Sequence, residues 1–71
     1  MKAITLKAAR VNAGYTQNAA AAALGITRET VRAYEQYRTS PDAQMILKII
    51  ALYGRTFDEI LWAKVMDPSA Q

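Results

Sequence analysis

The stretch TQNAAAAALGITRETVRAYEQ, residues 16–36, decides the fold. Thr16 can accept a hydrogen bond from a free backbone N–H at the start of a helix, and the alanines that follow it are strong helix formers. Gly25 can end this helix in a left-handed conformation, and Thr27 offers the cap of another helix. The stretch therefore predicts two short helices joined by a tight turn, at residues 17–24 and 28–36.

Two further helices are predicted on either side of this stretch. Residues 4–13 carry apolar side chains at helical spacing, which indicates a first helix. Asp42 can cap a segment with strong helical periodicity that stops at Gly54. No segment alternates with period two for long enough to indicate a strand, so the predicted fold is all-α.

A fifth helix is predicted from a Thr-x-x-Glu capping box at Thr56 to Glu59, and it is expected to end near Asp67, before a short tail of residues 67–71. Large apolar side chains follow the box. They are Phe57, Leu61, Trp62, Val65 and Met66. These side chains can either close the small core or form a contact with a second copy or another protein, and both interpretations stay open.

The composition limits the function. The 71 residues have room for a single domain, residues 1–71, and only 8% of them are aromatic, so a thin core is expected. The chain contains no Cys and no His, which excludes disulfides, thiol nucleophiles and the usual zinc and haem ligands. The acidic pair Asp58 and Glu59 lies in the first turn of a predicted helix, where the helix dipole explains it. We therefore expect no enzyme, no cofactor, no metal and no small-molecule ligand.

Apolar stretches are short throughout the chain. The longest, residues 19–24, is far below the roughly 20 residues that a membrane span needs, and the N-terminus lacks the apolar region of a signal peptide. We expect a protein of the bacterial cytoplasm with no membrane contact.

Positive charge is concentrated in the first half of the chain. Residues 1–40 contain six basic and two acidic residues, a net charge of +4, whereas residues 41–71 contain three basic and four acidic residues, a net charge of −1. A positive field of this kind attracts a polyanion such as DNA, although +4 is a modest value.

Residues 16–36 show the pattern of a helix-turn-helix, in which the second helix enters the major groove of DNA and the first lies across the backbone. Polar side chains at the start of both helices, with one basic residue after the second, are therefore candidate DNA contacts. They are Gln17, Asn18, Thr27, Arg28, Glu29, Thr30, Arg32 and Arg38. The alternative is a solvated helix surface, with Glu29 paired locally to Arg32 and Gln17 as an ordinary first residue of its helix.

The chain resembles the phage repressor and Cro family of DNA-binding domains over about residues 3–62. The resemblance rests on an ordered set of matching positions. They are Leu6 with Arg10, Gly14-Tyr15-Thr16-Gln17, Ala21, Leu24-Gly25-Ile26-Thr27, Val31, Tyr34-Glu35, Pro41, Ala51-Leu52-Tyr53-Gly54 and Phe57-Asp58-Glu59-Ile60-Leu61. It implies a five-helix, all-α fold, a phosphate contact by Gln17 and a DNA-reading helix at residues 28–36.

The resemblance also implies a buried ion pair between Arg10 and Glu35 that ties the first helix to the end of the third. The periodicity of residues 4–13 agrees, because Arg10 falls on the apolar face of its helix and needs an acceptor there. We assign this pair to structure and not to DNA contact.

Two departures from the family pattern affect these expectations. The usual Asn-Gly after the helix-three Glu is replaced by Gln36-Tyr37, and Tyr adopts a left-handed backbone less readily than Gly. A different loop is therefore expected at residues 36–40, which puts phosphate contacts there in doubt. Ala19 and Ala20 stand where Glu and Leu are common, which leaves the second helix almost uncharged.

Two functions are compatible with the sequence. The first is a small Cro-like regulator of transcription, of phage or prophage type, that binds double-stranded operator DNA as a weak symmetric dimer. The second is a phage antirepressor that keeps the fold but binds another repressor protein and alters its DNA binding. The first is the main hypothesis. Four features speak for the second: the modest charge, the mixed signs along residues 28–32, the second helix of bare alanines and the missing Gly at Tyr37.

Overall fold

The computed structural model describes residues 3–63, which are mostly helical. In chain order the elements are β1 (Ile4–Thr5), α1 (Leu6–Asn12), α2 (Gln17–Leu24), α3 (Arg28–Glu35), α4 (Ala43–Tyr53), a 3₁₀ turn (Phe57–Glu59) and β2 (Ile60–Leu61). The longest helix, α4, has 11 residues, and no helix in residues 3–63 combines the length and apolar character needed to cross a membrane.

The predicted caps of α2, α3 and α4 are confirmed. The hydroxyl of Thr16 accepts from the backbone N–H of the third residue of α2 at 3.0 Å, and Thr27 does the same for α3 at 3.2 Å. A carboxylate oxygen of Asp42 caps α4 at 2.8 Å. Gly25 and Gly54 end α2 and α4 with positive φ angles of 72° and 67°, a conformation that costs glycine no steric strain.

The core is small and mostly aliphatic, with a single aromatic member, as the low aromatic content predicts. Its buried members are Leu6, Ala9, Ala20, Leu24, Ile49, Tyr53 and Ile60. Ile49 is the largest side chain with less than 2% exposure. The alanines at positions 9 and 20 leave room for larger core side chains, which come from α1, α2, α4 and β2.

The predicted fifth helix is wrong within the described residues, as is the prediction that the chain has no strand. After the 3₁₀ turn the backbone becomes extended, and β2 pairs in parallel with β1, Ile4 opposite Ile60 and Thr5 opposite Leu61. This pairing also corrects the start of the first helix, which begins at Leu6 and is capped by the hydroxyl of Thr5. The physical reason is that Ile60 reaches the core from an extended backbone, where it is 3% exposed. The rest of the predicted helix lies outside the described residues.

The loop after α3 corrects a second expectation. Tyr37 adopts the left-handed conformation, with φ of 58°, although it carries a side chain. The cost of such a conformation is about 1 to 2 kcal/mol. Two contacts offset this cost: the Tyr37 side chain packs against the core, and its hydroxyl donates to the carbonyl oxygen of Leu61 at 3.0 Å. The tyrosine thus holds the loop against β2.

The Tyr37 hydroxyl provides a first prediction. Tyr37→Phe keeps the ring and the strained backbone but leaves the carbonyl of Leu61 without this donor, so we expect a loss of about 0.5 to 1.5 kcal/mol in the free energy of unfolding. Urea unfolding followed by circular dichroism measures it. Tyr34→Phe is the matched control, because the hydroxyl of the half-buried Tyr34 makes no hydrogen bond within residues 3–63. Equal losses in the two variants would contradict the assigned role.

Candidate nucleic-acid interface

The turn between α2 and α3 sets the direction in which α3 leaves the core. The left-handed Gly25 reverses the chain, and the backbone N–H of Ile26 donates to the carbonyl of Ala21 at 3.0 Å. Thr27 then caps α3, and its hydroxyl also lies 2.9 Å from the hydroxyl of Thr30. Val31 is buried, which fixes the inner side of α3 and leaves its opposite side in solvent. The structure therefore contains the predicted helix-turn-helix.

The outer surface of α3 carries the predicted polar residues. Arg28, Glu29 and Arg32 are exposed, whereas Thr30 is half-buried. Glu29 and Arg32 form the local pair that was considered as the alternative, with 3.5 Å between Oε1 and Nη1 and side chains 72% and 54% exposed. Such an exposed pair is weak, because solvent screens it, and both side chains remain free to reorient toward another surface.

The structure contains the predicted ion pair of Arg10 and Glu35. Arg10 Nε donates to Glu35 Oε2 at 2.6 Å, and the two side chains are only 8% and 7% exposed. Arg10 Nη1 also donates to the backbone carbonyl of Tyr15 at 2.7 Å. The pair thus connects α1, the loop before α2 and the C-terminal end of α3, which supports the structural role.

Gln17 extends this network to the start of α3, which the sequence did not predict. Its amide Nε2 donates to Glu35 Oε1 at 3.1 Å, and its Oε1 accepts from Arg28 Nε at a longer 3.4 Å. Both ends of the amide are therefore engaged within the protein. The side chain of Arg28 is linked through Gln17 to the buried carboxylate of Glu35.

The remaining predicted contacts fall in two places. Asn18 is exposed and lies with Gln17 and Arg28 in one groove at the start of α2 and α3. Arg38 is also exposed, but it follows the other end of α3, and its backbone N–H donates to the carbonyl of Ala33 at 3.0 Å. The structure brings together the side chains at the two helix starts and keeps Arg38 apart from them.

Sequence reasoning did not select Lys7, which lines the same groove from α1. Helical spacing alone could have placed Lys7 one turn before Arg10 on the same side of α1. It could not have shown that α1 lies against the start of α2.

The predicted apolar surface at the C-terminal end is present in part. The rings of Phe57 and Trp62 stack with centroids 5.5 Å apart, and Trp62 Nε1 donates to the carbonyl of Phe57 at 2.8 Å. Phe57 is 55% exposed, whereas Leu61 is half-buried between the core and solvent. Val65 and Met66 lie outside the described residues.

Three titratable groups of the described residues have shifted pKa values, each with a structural cause. Burial, with Glu35 nearby, raises the pKa of Tyr53 to about 12, so this core tyrosine stays neutral. A hydrogen bond from the Thr56 hydroxyl lowers the pKa of Asp58, and one from the Thr56 backbone N–H lowers the pKa of Glu59. Within residues 3–63 no cluster of three or more acidic residues could hold a metal ion.

The chain belongs to the helix-turn-helix family, whose family model matches residues 6–60. Helix-turn-helix domains are a class of DNA-binding module. The chain is similar to the HTH-type transcriptional regulator ImmR of Bacillus subtilis (strain 168), with 41% identity over 56 residues, which cover 79% of this chain and 44% of ImmR. The chain thus matches less than half the length of this relative. No solved structure matches the chain significantly.

Proposed function

We propose that the protein is a sequence-specific regulator of transcription that contacts double-stranded DNA with α3. The observation that carries this proposal is the orientation of α3. Its inner side is fixed by the buried Val31, and its first two turns present Arg28, Glu29 and Arg32 to solvent. The family and the name of the similar regulator support the same function.

The exposed residues of α3 have the chemistry to distinguish base pairs in the major groove. The guanidinium of Arg28 or Arg32 can donate two hydrogen bonds to O6 and N7 of guanine, and Glu29 can accept one from N4 of cytosine. Thr30 can place its methyl group against that of thymine. The local pair of Glu29 and Arg32 would separate when these contacts form.

Backbone contacts would hold α3 in register. Asn18 and Thr27 stand at the starts of the two helices, where polar side chains suit phosphate oxygens. Arg38, at the other end of α3, can reach a phosphate farther along the groove. We assign Gln17 to this set as well, although its amide is already engaged by Glu35 and Arg28.

We further propose a Cro-like protein of phage or prophage type that binds its operator as a weak symmetric dimer in the bacterial cytoplasm. In such dimers the half-sites lie one turn of DNA apart, about 34 Å. The exposed ring of Phe57, stacked on the half-buried Trp62, supports a contact between copies or with another phage repressor, because a large apolar group in solvent favours burial in an interface.

An antirepressor is the second candidate function. The specific observation in its favour is the outer surface of α2, where Ala19, Ala22 and Ala23 are exposed and offer DNA no hydrogen bonds. In this case the partner is another repressor protein, and this chain alters the DNA binding of that repressor.

A DNA titration separates the two candidates. The probes are duplexes from the region flanking the gene and a scrambled duplex of equal length and composition. Each is titrated at two salt concentrations, alone and together with any repressor encoded beside the gene, called the neighbouring repressor. A DNA regulator is expected to bind one flanking duplex at least about a thousandfold more tightly than the scrambled one, with affinity that falls as salt rises. Equal binding to all duplexes, with a changed DNA complex of the neighbouring repressor, would contradict the first candidate and support the antirepressor.

A further inference from the structure

A groove opens where α1 meets the starts of α2 and α3. Six residues line it: Lys7, Arg10, Thr16, Gln17, Asn18 and Arg28. Three of them are cationic, and none of the six is acidic. All six have polar or charged side chains, whereas in the groove between α2 and α4 Lys48 lies among alanine and leucine.

The charges around the groove do not cancel. Glu35 neutralises Arg10 in the buried pair, and its Oε1 also accepts from Gln17. Lys7 and Arg28 form no ion pair within residues 3–63, where the pairs are those of Arg10 with Glu35 and Arg32 with Glu29. The groove therefore has two uncompensated positive charges, one on α1 and one on α3.

The two cations at the edges of the groove differ in their contacts. Arg28 Nε donates a long hydrogen bond of 3.4 Å to Gln17 Oε1, and its two Nη nitrogens make no hydrogen bond within residues 3–63. Lys7 is exposed, and its flexible side chain can move toward an anion from the opposite side. Thr16 and Asn18 add a hydroxyl and an amide between the two cations.

We propose that Lys7 binds a phosphate of the DNA backbone in this groove, so that the DNA contact extends beyond the helix-turn-helix onto α1. This inference rests on the proposed function, because the phosphate belongs to the duplex that α3 contacts. Asn18 donates to the same phosphate, and Arg28 closes the groove on the side nearest the bases. A phosphate contact adds affinity and sets the register but contributes no sequence preference.

Lys7→Gln tests the assignment, with Lys48→Gln as the matched control. Each variant removes one exposed lysine charge from a helix, so the net charge of the two variants is equal. We expect Lys7→Gln to weaken binding to the preferred and the scrambled duplex by the same factor, about five- to tenfold near 0.1 M salt. It should also reduce the slope of log affinity against log salt concentration by about 0.9. Lys48→Gln should leave the slope unchanged.

The outcomes separate this inference from the proposed function. If the unmodified protein prefers no duplex, the proposed function fails. If it prefers one duplex and Lys7→Gln and Lys48→Gln have equal effects, only the phosphate assignment is overturned. Circular dichroism of both variants must match that of the unmodified protein, which is expected for exposed side chains.

A free phosphate ion offers the same chemistry as a DNA phosphate, so a calorimetric titration with inorganic phosphate at constant ionic strength is the second arm. We expect no saturable binding of the free ion. Saturable binding that disappears in Lys7→Gln, together with an unchanged salt dependence of DNA binding in that variant, would assign the groove to a free anion and overturn the DNA assignment.

Discussion

Glu35→Ala is expected to lose about 3 to 5 kcal/mol in the free energy of unfolding. The change leaves the guanidinium of Arg10 without its carboxylate partner. Arg10 is only 7% exposed, so solvent cannot replace that partner. It also removes the acceptor of the Gln17 amide. A chain of 71 residues has a total stability of about 4 to 10 kcal/mol, so at least about a third of the stability would be lost. Urea unfolding followed by circular dichroism measures the loss.

Two further variants complete this experiment. Glu29→Ala removes the same type of side chain from the same helix, but its partner Arg32 is 54% exposed, so the expected loss is below about 0.5 kcal/mol. Glu35→Gln keeps a hydrogen-bond acceptor without the charge and should lose less than Glu35→Ala. Similar stabilities of Glu35→Ala and Glu29→Ala would show that the buried pair contributes no more than a surface pair.

Arg28→Ala is expected to weaken binding to the preferred duplex by about 1 to 3 kcal/mol and to relax the preference at one base pair. The reason is the loss of a two-pronged hydrogen bond to a base edge. Affinities for a set of duplexes, each with one base pair changed, measure both effects. Arg38→Ala is the control, because it removes the same charge at the other end of α3 and should weaken all duplexes alike. If Arg28→Ala also weakens all duplexes alike, Arg28 does not contact a base.

The contact between Gln17 and Arg28 predicts that substitutions at these two residues have coupled effects on DNA binding. On the sequence alone, Gln17→Ala should weaken all duplexes alike, as a phosphate contact does. Because Gln17 also holds Arg28 Nε, the structure predicts that Gln17→Ala removes part of the contribution of Arg28. The double variant Gln17→Ala/Arg28→Ala should therefore lose less binding free energy than the two single variants lose together, by about 0.5 to 3 kcal/mol. Additive losses would show that Gln17 does not position Arg28.

Local signals in the sequence were sufficient for the helices that carry the interface. Thr16 and Thr27 accept hydrogen bonds from backbone N–H groups three residues away, and Gly25 adopts a left-handed backbone without strain. These effects involve only neighbouring residues, so they act the same way in any fold. The exposed residues of α3 followed from helical spacing once Val31 was placed inward. The pair of Arg10 and Glu35 came from the family resemblance, since 25 residues separate its members.

The helix predicted for the C-terminal part of the domain was wrong for a physical reason. The capping box at Thr56 and Glu59 forms as predicted, with Thr56 N–H donating to Glu59 at 2.9 Å, but it begins a 3₁₀ turn and not a helix. Strands of two residues have no period to detect. Their pairing joins Ile4 to Ile60 across 56 positions of the chain, and Ile60 is buried in the core, so no local signal announces the strand.

The sequence by itself determined the helix-turn-helix, its caps and its exposed polar surface, because these depend on backbone groups and side chains a few residues apart. Only the tertiary structure decided that Gln17 joins Arg28 to the buried Glu35, that Lys7 lines the same groove and that Tyr37 keeps a left-handed backbone by bonding to Leu61. These contacts join separate elements, and their geometry depends on how the helices pack around the core.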